Sequence, residues 1–417
     1  MTRTEDRLTD ALAAAARGVR EQALRPLIVP EPRRRPPAWL APVAAAVGVT
    51  LVVALGVAVS SWPGWSGGGG SPGLSDPRPA TAPPRYYVEA DILTDKTVVR
   101  STATGAVIAT VPVPYVIDGG NPTVATASDG TFFVAAFVRG TGDERIYRFR
   151  LTGSGQVTGF SAVPGSVLGT SQQVDAMAAS PDGSQVAIGV ARSWRDATSD
   201  KTYPPQPPDE IVVINVTTGL KTVWRGGAGN LGSGFAVASL SWTGDGRELV
   251  FLGQWCRLPS LGNETCLQGP RTAEVRALDP SSGGGTLDSG PLLLAQSRQF
   301  PYIAQAVISS DGSTITAAVL TGPVKTAGPV GDGTPEVVSV EQISLASGQQ
   351  QRVLYRRDMG RTTSMNAVPD FVALSPDRAG QHWMLNIGVG VGVNGWIEDG
   401  RLVTLQPANG RIAGEAW

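Results

Sequence analysis

The sequence predicts an all-β chain folded as a propeller of six four-stranded blades. Three observations carry that expectation. A hairpin built on an Asp–Gly turn recurs along the chain, a second pair of short strands around a Gly-containing turn follows each copy, and no helical periodicity separates the copies. With 417 residues, 52 Gly and 32 Pro, the composition suits a turn-rich chain long enough to bury a sizeable core.

The clearest hairpin is AASPDGSQVAIGV, residues 178–190. Ser180-Pro181-Asp182-Gly183 meets the demands of a type I turn, with Pro where φ is preset, Asp at the third position and Gly at the fourth. Related stretches are ATASDGTFFVAAF (125–137), SLSWTGDGRELVFLG (239–253), AVISSDGSTITAAVL (306–320) and FVALSPDRAGQHWMLNIG (371–388). Asp129, Asp182, Asp245, Asp311 and Asp377 thus mark a repeat of 53 to 66 residues. They are read as structural turn residues, with Gly183 supplying a positive φ. Because successive copies belong to different blades, their carboxylates are expected to lie well apart around the ring and to form no acid–base pair.

The second strand pairs are RIYRFRLTGSGQV, EIVVINVTTGLKTVW, AEVRALDPSSGGGTL, VVSVEQISLASGQQQRVLY and, in the last repeat, GRLVTLQPANGRIAGEAW. Ahead of the first repeat, residues 86–114 supply about three more strands. This incomplete unit and the five complete ones make six blades, with seven as the alternative, and the missing strand is expected from elsewhere in the chain.

The copies resemble the WD40-like repeat of TolB-type periplasmic propellers, whose pattern centres on Ser-Pro-Asp-Gly before an apolar strand. The resemblance covers Tyr86 to Trp417, and no Gly-His or Trp-Asp dipeptide of true WD40 repeats recurs. It implies an architecture and a tendency to bind partners.

Residues 38–59, AWLAPVAAAVGVTLVVALGVAV, contain no charge. As a helix at 1.5 Å per residue they would extend about 33 Å, enough for a hydrocarbon core of about 30 Å. Thirty-seven residues precede this run, so a retained anchor is expected in preference to a signal peptide. Arg33, Arg34 and Arg35 stand directly before it and no Lys or Arg follows until Arg78, which places residues 1–37 in the cytoplasm and the propeller outside. Residues 60–84 read as a Gly/Ser/Pro linker. The net charge is −1 and 17% of residues are charged, so no nucleic-acid surface is expected.

Cys256 and Cys266 bracket RLPSLGNET and are expected to form a disulfide outside the cell. A zinc site would need more Cys or His, and His382 is the sole histidine. It opens an apolar strand and is read as a packed or surface imidazole, with no triad around it. Gly69-x-Ser71-x-Gly73 falls in the linker, and Gly390-x-Gly392-x-x-Gly395 leads to a strand where a dinucleotide site needs a helix. No catalytic residue, metal or cofactor is assigned.

Insertions at 193–209, 254–272 and 321–336, with a shorter VGVNGWIED in the last repeat, all join the second strand of a repeat to the third. Strand direction alternates, so these loops should emerge on one face, opposite the turn aspartates. They carry Trp194, Tyr203, Trp255, Arg257 and Trp396, residue types enriched in binding hot spots. This face is the expected site for a protein or cell-envelope ligand.

In the tail, residues 4–24 place Leu8, Leu12, Ala15 and Val19 on one helical stripe. Tail and anchor resemble short actinobacterial membrane proteins linked to extracytoplasmic-function sigma factors, without the His and Cys of zinc-containing anti-sigma domains. Two functions follow as expectations: a membrane-anchored, non-catalytic binding or scaffold propeller, or a transmembrane regulator whose propeller senses a ligand and whose tail contacts a sigma factor.

Overall fold

The computed structural model describes residues 82–417 except 92–95, 115–122, 139–142, 170–171, 193–209, 227–232, 258–270, 298–301, 322–334, 362–370, 389–392 and 406–411. The expected tail, membrane span and nearly all of the linker lie outside the described residues.

Six sheets follow one another along the chain. The first blade holds β1 (Tyr86–Asp91), β2 (Lys96–Ser101) and β3 (Val107–Val111), and the second β4 (Thr123–Thr126), β5 (Thr131–Phe137), β6 (Glu144–Leu151) and β7 (Val157–Ala162). The third holds β8 (Gln172–Ala179), β9 (Gln185–Arg192), β10 (Glu210–Asn215) and β11 (Lys221–Arg225). Next come β12 (Ser233–Trp242), β13 (Leu249–Arg257), β14 (Arg271–Leu278), the two-residue β15 (Gly285–Thr286) and β16 (Leu292–Ala295). The fifth blade is β17 (Ile303–Ile308), β18 (Thr314–Thr321), β19 (Pro335–Ser344) and β20 (Gln350–Arg361). The sixth is β21 (Phe371–Pro376), β22 (Trp383–Gly388), β23 (Val393–Glu398) and β24 (Arg401–Thr404), followed by β25 (Ile412–Ala416). Within each blade the strands pair antiparallel in chain order, so the six-blade expectation holds and the seven-blade alternative does not.

The middle strands are apolar on both faces because each sheet is packed on both sides. In β10, Ile211 and Val213 face the fourth blade beside Trp224 and Phe251, whereas Val212 and Ile214 face the second beside Phe133 and Ile146. Each interface between neighbouring blades owns one apolar cluster, and there are six such clusters among the described residues. A fully buried Ile, Leu or Phe contributes about 1.5–3 kcal/mol, so these interfaces dominate the stability of the ring.

The missing strand of the first blade is β25, which pairs antiparallel with β1, Val88 opposite Ala416. The ends of the propeller thereby share one sheet, and Trp417 lies 2% exposed against Tyr87, Met384 and Leu405. The fourth blade departs from its expected layout. A hairpin turn through the glycines of DPSSGGGTL was expected to lead straight into its fourth strand, but LLLA takes that place, and residues 279–291 cross to the third blade, where β15 pairs in parallel with β11. Gly284 makes this crossing close: a Cβ there would stand 2.5 Å from Val223 O. Leu287 packs with Trp224, and the strap covers an edge that would otherwise face solvent.

Trp417→Ala in the full chain should lower the unfolding free energy by about 3 kcal/mol or more, the usual cost of emptying a buried Trp site. Val353→Ala, on the exposed outer strand, should stay within about 0.5 kcal/mol. Chemical denaturation followed by tryptophan fluorescence measures both, and equal effects would refute the closure through β25.

Candidate functional site

The first strands of the second to sixth blades, β4, β8, β12, β17 and β21, surround a central channel with a volume of about 540 Å³. An innermost strand has a sheet neighbour on one edge only, so the N–H and C=O groups of its other edge need partners. Side chains of the neighbouring blades supply many of them. Thr123 Oγ1 donates to Val174 O (3.3 Å), Glu144 Oε2 accepts from Val174 N (2.6 Å), and Trp242 Nε1 donates to Ala178 O (3.3 Å). Ser239 Oγ donates to Ala306 O (3.0 Å) and accepts from Ala306 N (3.1 Å), Ser241 Oγ accepts from Ile308 N (3.0 Å), and Gln305 Oε1 accepts from Leu374 N (2.6 Å).

Three of the inner strands carry a β-bulge at the same place. The register slips between Val174 and Ala176, between Val237 and Ser239, and between Ile303 and Gln305. A bulge re-aims the extra residue away from the two sheet faces. The extra residues are Asp175, Ala238 and Ala304, and all three line the channel. Asp175 is open to water while Val174 and Ala176 beside it are buried. Its place inside the channel strips part of the hydration from the carboxylate and pushes its pKa above the ordinary aspartate value, against a lowering contribution from the bond with Gln173. That bond runs from Gln173 Nε2 to Asp175 Oδ1 (2.8 Å), and the Oε1 of the same amide is buried without a partner. Asp175 was not singled out in the sequence. The signal available there was a charge inside the otherwise apolar VDAMAA.

In four of the five copies the turn aspartate caps its own turn with its carboxylate. Asp182 Oδ1 accepts from Ser180 Oγ (2.7 Å), Ser184 N (3.0 Å) and Ser184 Oγ (2.9 Å), and these bonds, that of Ser180 foremost, lower its pKa. Asp245 and Asp311 repeat the arrangement with Arg247 N and Ser313 N, and their pKa values are lowered for the same reason, the leading bonds being those of Arg247 N and Ser309 Oγ. Asp129 accepts from Thr131 N (2.8 Å) and pairs with Arg150. Gly183 has φ 68°, as the turn required.

Asp377 is the exception. Gly380 N donates to Asp377 O and Asp377 N to His382 O, the bonds that Ser180 makes in its own turn. Asp377 therefore occupies the place of Ser180, two positions ahead of a turn aspartate. The glycine sets the register: Gly380, φ 67°, stands three residues after Asp377, whereas Gly183 directly follows Asp182. The carboxylate of Asp377 instead accepts from Gln381 N (2.7 Å) and lies 2.8 Å from His382 Nδ1, both side chains being buried beside Trp417. Of the two readings the sequence left open for His382, a packed or a surface imidazole, the structure shows the packed one.

The turns also lie closer together than expected. Asp129 N donates to Pro181 O (3.2 Å), and Gly244 N donates to Ser310 O (2.8 Å), so hairpins of successive blades touch at the channel rim. Inner strands converge on a narrow channel, and their turns crowd with them.

Trp194 and Tyr203 lie outside the described residues, as does Cys266. Trp255, Cys256 and Arg257 fall on the end of β13, with Cys256 opposite Gly234 and Arg271. Trp396 is not on a loop: it belongs to β23, opposite Met384 and Val403, and its ring packs against the cluster around Trp417 with Nε1 buried. Its insertion is short enough for the strand to run through it. The Gly390 motif likewise ends inside β23 at Gly395.

No protein-family model matches the sequence, and no curated protein matches it. Among solved structures the chain is similar to hydrazine synthase of Kuenenia stuttgartiensis, with 16% identity, a TM-score of 0.38 and coverage of 70% of this chain and 67% of that one. It is similar to the Dos1 propeller, with 13% identity, a TM-score of 0.39 and 75% of each chain covered. A protein of unknown function from Desulfotomaculum acetoxidans matches with 11% identity and a TM-score of 0.39 over 78% of this chain and all of the other. These likenesses carry no argument about activity, and the propeller assignment stands on the strand order itself.

Asp182→Asn should change stability by no more than about 1 kcal/mol, because Asn keeps the acceptor of the turn. Gly183→Val should cost more, since a β-branched residue resists φ 68° and its Cβ would stand 3.0 Å from Asp129 Oδ1. Urea denaturation of the two variants checks the order, and a larger loss for Asp182→Asn would contradict the turn assignment.

Proposed function

We propose that the propeller is a non-catalytic binding module presented outside a membrane by the 38–59 segment, in keeping with its resemblance to TolB-type propellers. The observation that carries the reading is the open channel of about 540 Å³ with one carboxylate turned into it, a volume within the usual range of small-ligand sites, about 300–1,000 Å³. The turn carboxylates support the non-catalytic part, since their oxygens are engaged by the N–H and O–H groups of their own turns. The uncharged 22-residue run and the arginine triplet before it support the placement.

A second reading, a transmembrane regulator with a sigma factor as its cytoplasmic partner, is favoured by the apolar stripe of Leu8, Leu12, Ala15 and Val19. Capture from membranes with the full chain and with a chain lacking residues 1–37 separates the two, because only the regulator loses a partner with the tail.

The full chain, incubated with a small-molecule cell extract and recovered by ultrafiltration, should retain compounds that Ala304→Phe, which fills the channel, does not. Equal retention would remove the channel as the binding site. Protease added to intact cells should digest the propeller and spare residues 1–37, and a protected propeller would overturn the external placement.

A further inference from the structure

The three bulges stand at equivalent positions of the third, fourth and fifth blades, so Asp175, Ala238 and Ala304 share one level of the channel. This level holds one carboxylate beside two methyl groups. Among the described residues, no Lys, Arg or His pairs with Asp175, whose hydrogen-bond partner is the neutral amide of Gln173. An ionised Asp175 obliges Gln173 to present its Nε2, which leaves the buried Oε1 as a second unfilled acceptor at the same place. The remaining acid of the channel wall, Asp377, is engaged with His382 and Gln381.

A carboxylate that a bulge turns into a protein-walled channel without a counter-ion is unusual, and unpaired charges set in a cleft concentrate at functional sites. A bulge adds a cost of its own by interrupting the ladder, and here it alone brings the charge into the channel. The two alanines keep the space beside the carboxylate open and make that wall apolar.

We propose that Asp175 is the anchor for a small, singly charged organic ammonium ion whose apolar body lies against Ala238 and Ala304. The assignment rests on the reading of the channel as a binding site. One carboxylate balances one positive charge, which disfavours polyamines. A divalent metal ion is disfavoured as well, because it needs several oxygen or nitrogen ligands and no three Asp, Glu, His or Cys side chains gather among the described residues.

The test compares hexylammonium with 1-hexanol and hexanoate, which share the alkyl body and differ in charge, by ligand-detected NMR titration of the full chain at pH 7.5. Hexylammonium should bind at least tenfold tighter than hexanol, and hexanoate more weakly than either. Asp175→Asn, which keeps the shape and the acceptor for Gln173, should remove that advantage while leaving the melting temperature nearly unaltered, because Asp175 is open to water and its bond with Gln173 is kept. The comparison within the wild-type chain does not depend on the variant. Equal binding of hexylammonium and hexanol, both unaffected by Asp175→Asn but lost in Ala304→Phe, would overturn the ammonium assignment and leave the channel as a site. Binding of none of the three by the folded chain would overturn this inference, and retention of extract compounds that Ala304→Phe abolishes would still uphold the channel.

Discussion

The innermost strand of every blade has a free edge, and the ring is organised around that constraint. A sheet of four strands leaves two edges, and in a propeller one of them faces the channel, where there is no fifth strand to pair with. Buried backbone groups left without partners each cost about 1–3 kcal/mol. The chain meets this cost with side chains of neighbouring blades: Ser239 and Ser241 reach from β12 to β17, Gln305 from β17 to β21, and Thr123 and Glu144 from the second blade to Val174 of β8. The hydrogen bonds that quench one strand's edge therefore tie it to the next, and the ring is stitched together on its inside while the apolar clusters hold it further out.

Closure follows from the same geometry. A blade lacking its innermost strand would expose the edge of β1 to the channel, and β25 fills that place. Tyr87, Met384, Leu405 and Trp417 pack at the junction, with the buried Asp377–His382 pair next to them. The strap through β15 does a related task at the outer rim, where it covers the edge of β11 and seats Leu287 on Trp224. The bulges in β8, β12 and β17 show the opposite use of an edge. Each gives up a regular pair to turn one side chain toward the channel, and only in β8 does that side chain carry a charge.

The repeat, the strand pairs and the number of blades were legible in the sequence because they depend on local chemistry. A Gly with positive φ after Asp or a small polar residue ends one strand and starts the next wherever it occurs, and apolar runs on both sides report sheets buried on both faces. Misreadings arose where the local pattern was ambiguous. In SPDRAG the aspartate matched the motif but the glycine governed the turn, so Asp377 took the place of a serine. In GGGTL the glycines suited a hairpin, yet Gly284 served a close approach to Val223 of another blade.

By itself, then, the sequence determined what each short segment does with its own neighbours: where a turn forms, which residues alternate, and which strands are apolar on both faces. Only the tertiary structure decided what crosses from blade to blade: the pairing of β25 with β1, the strap onto β11, and the serine and glutamine bonds between inner strands. It also decided that Asp175 faces the channel, because a bulge is a mismatch of register between two strands and has no signature in either strand alone. The physical reason is one of range. Turn geometry is set by a few consecutive residues, whereas the environment of a side chain is set by whichever segments, distant in the chain, are packed around it.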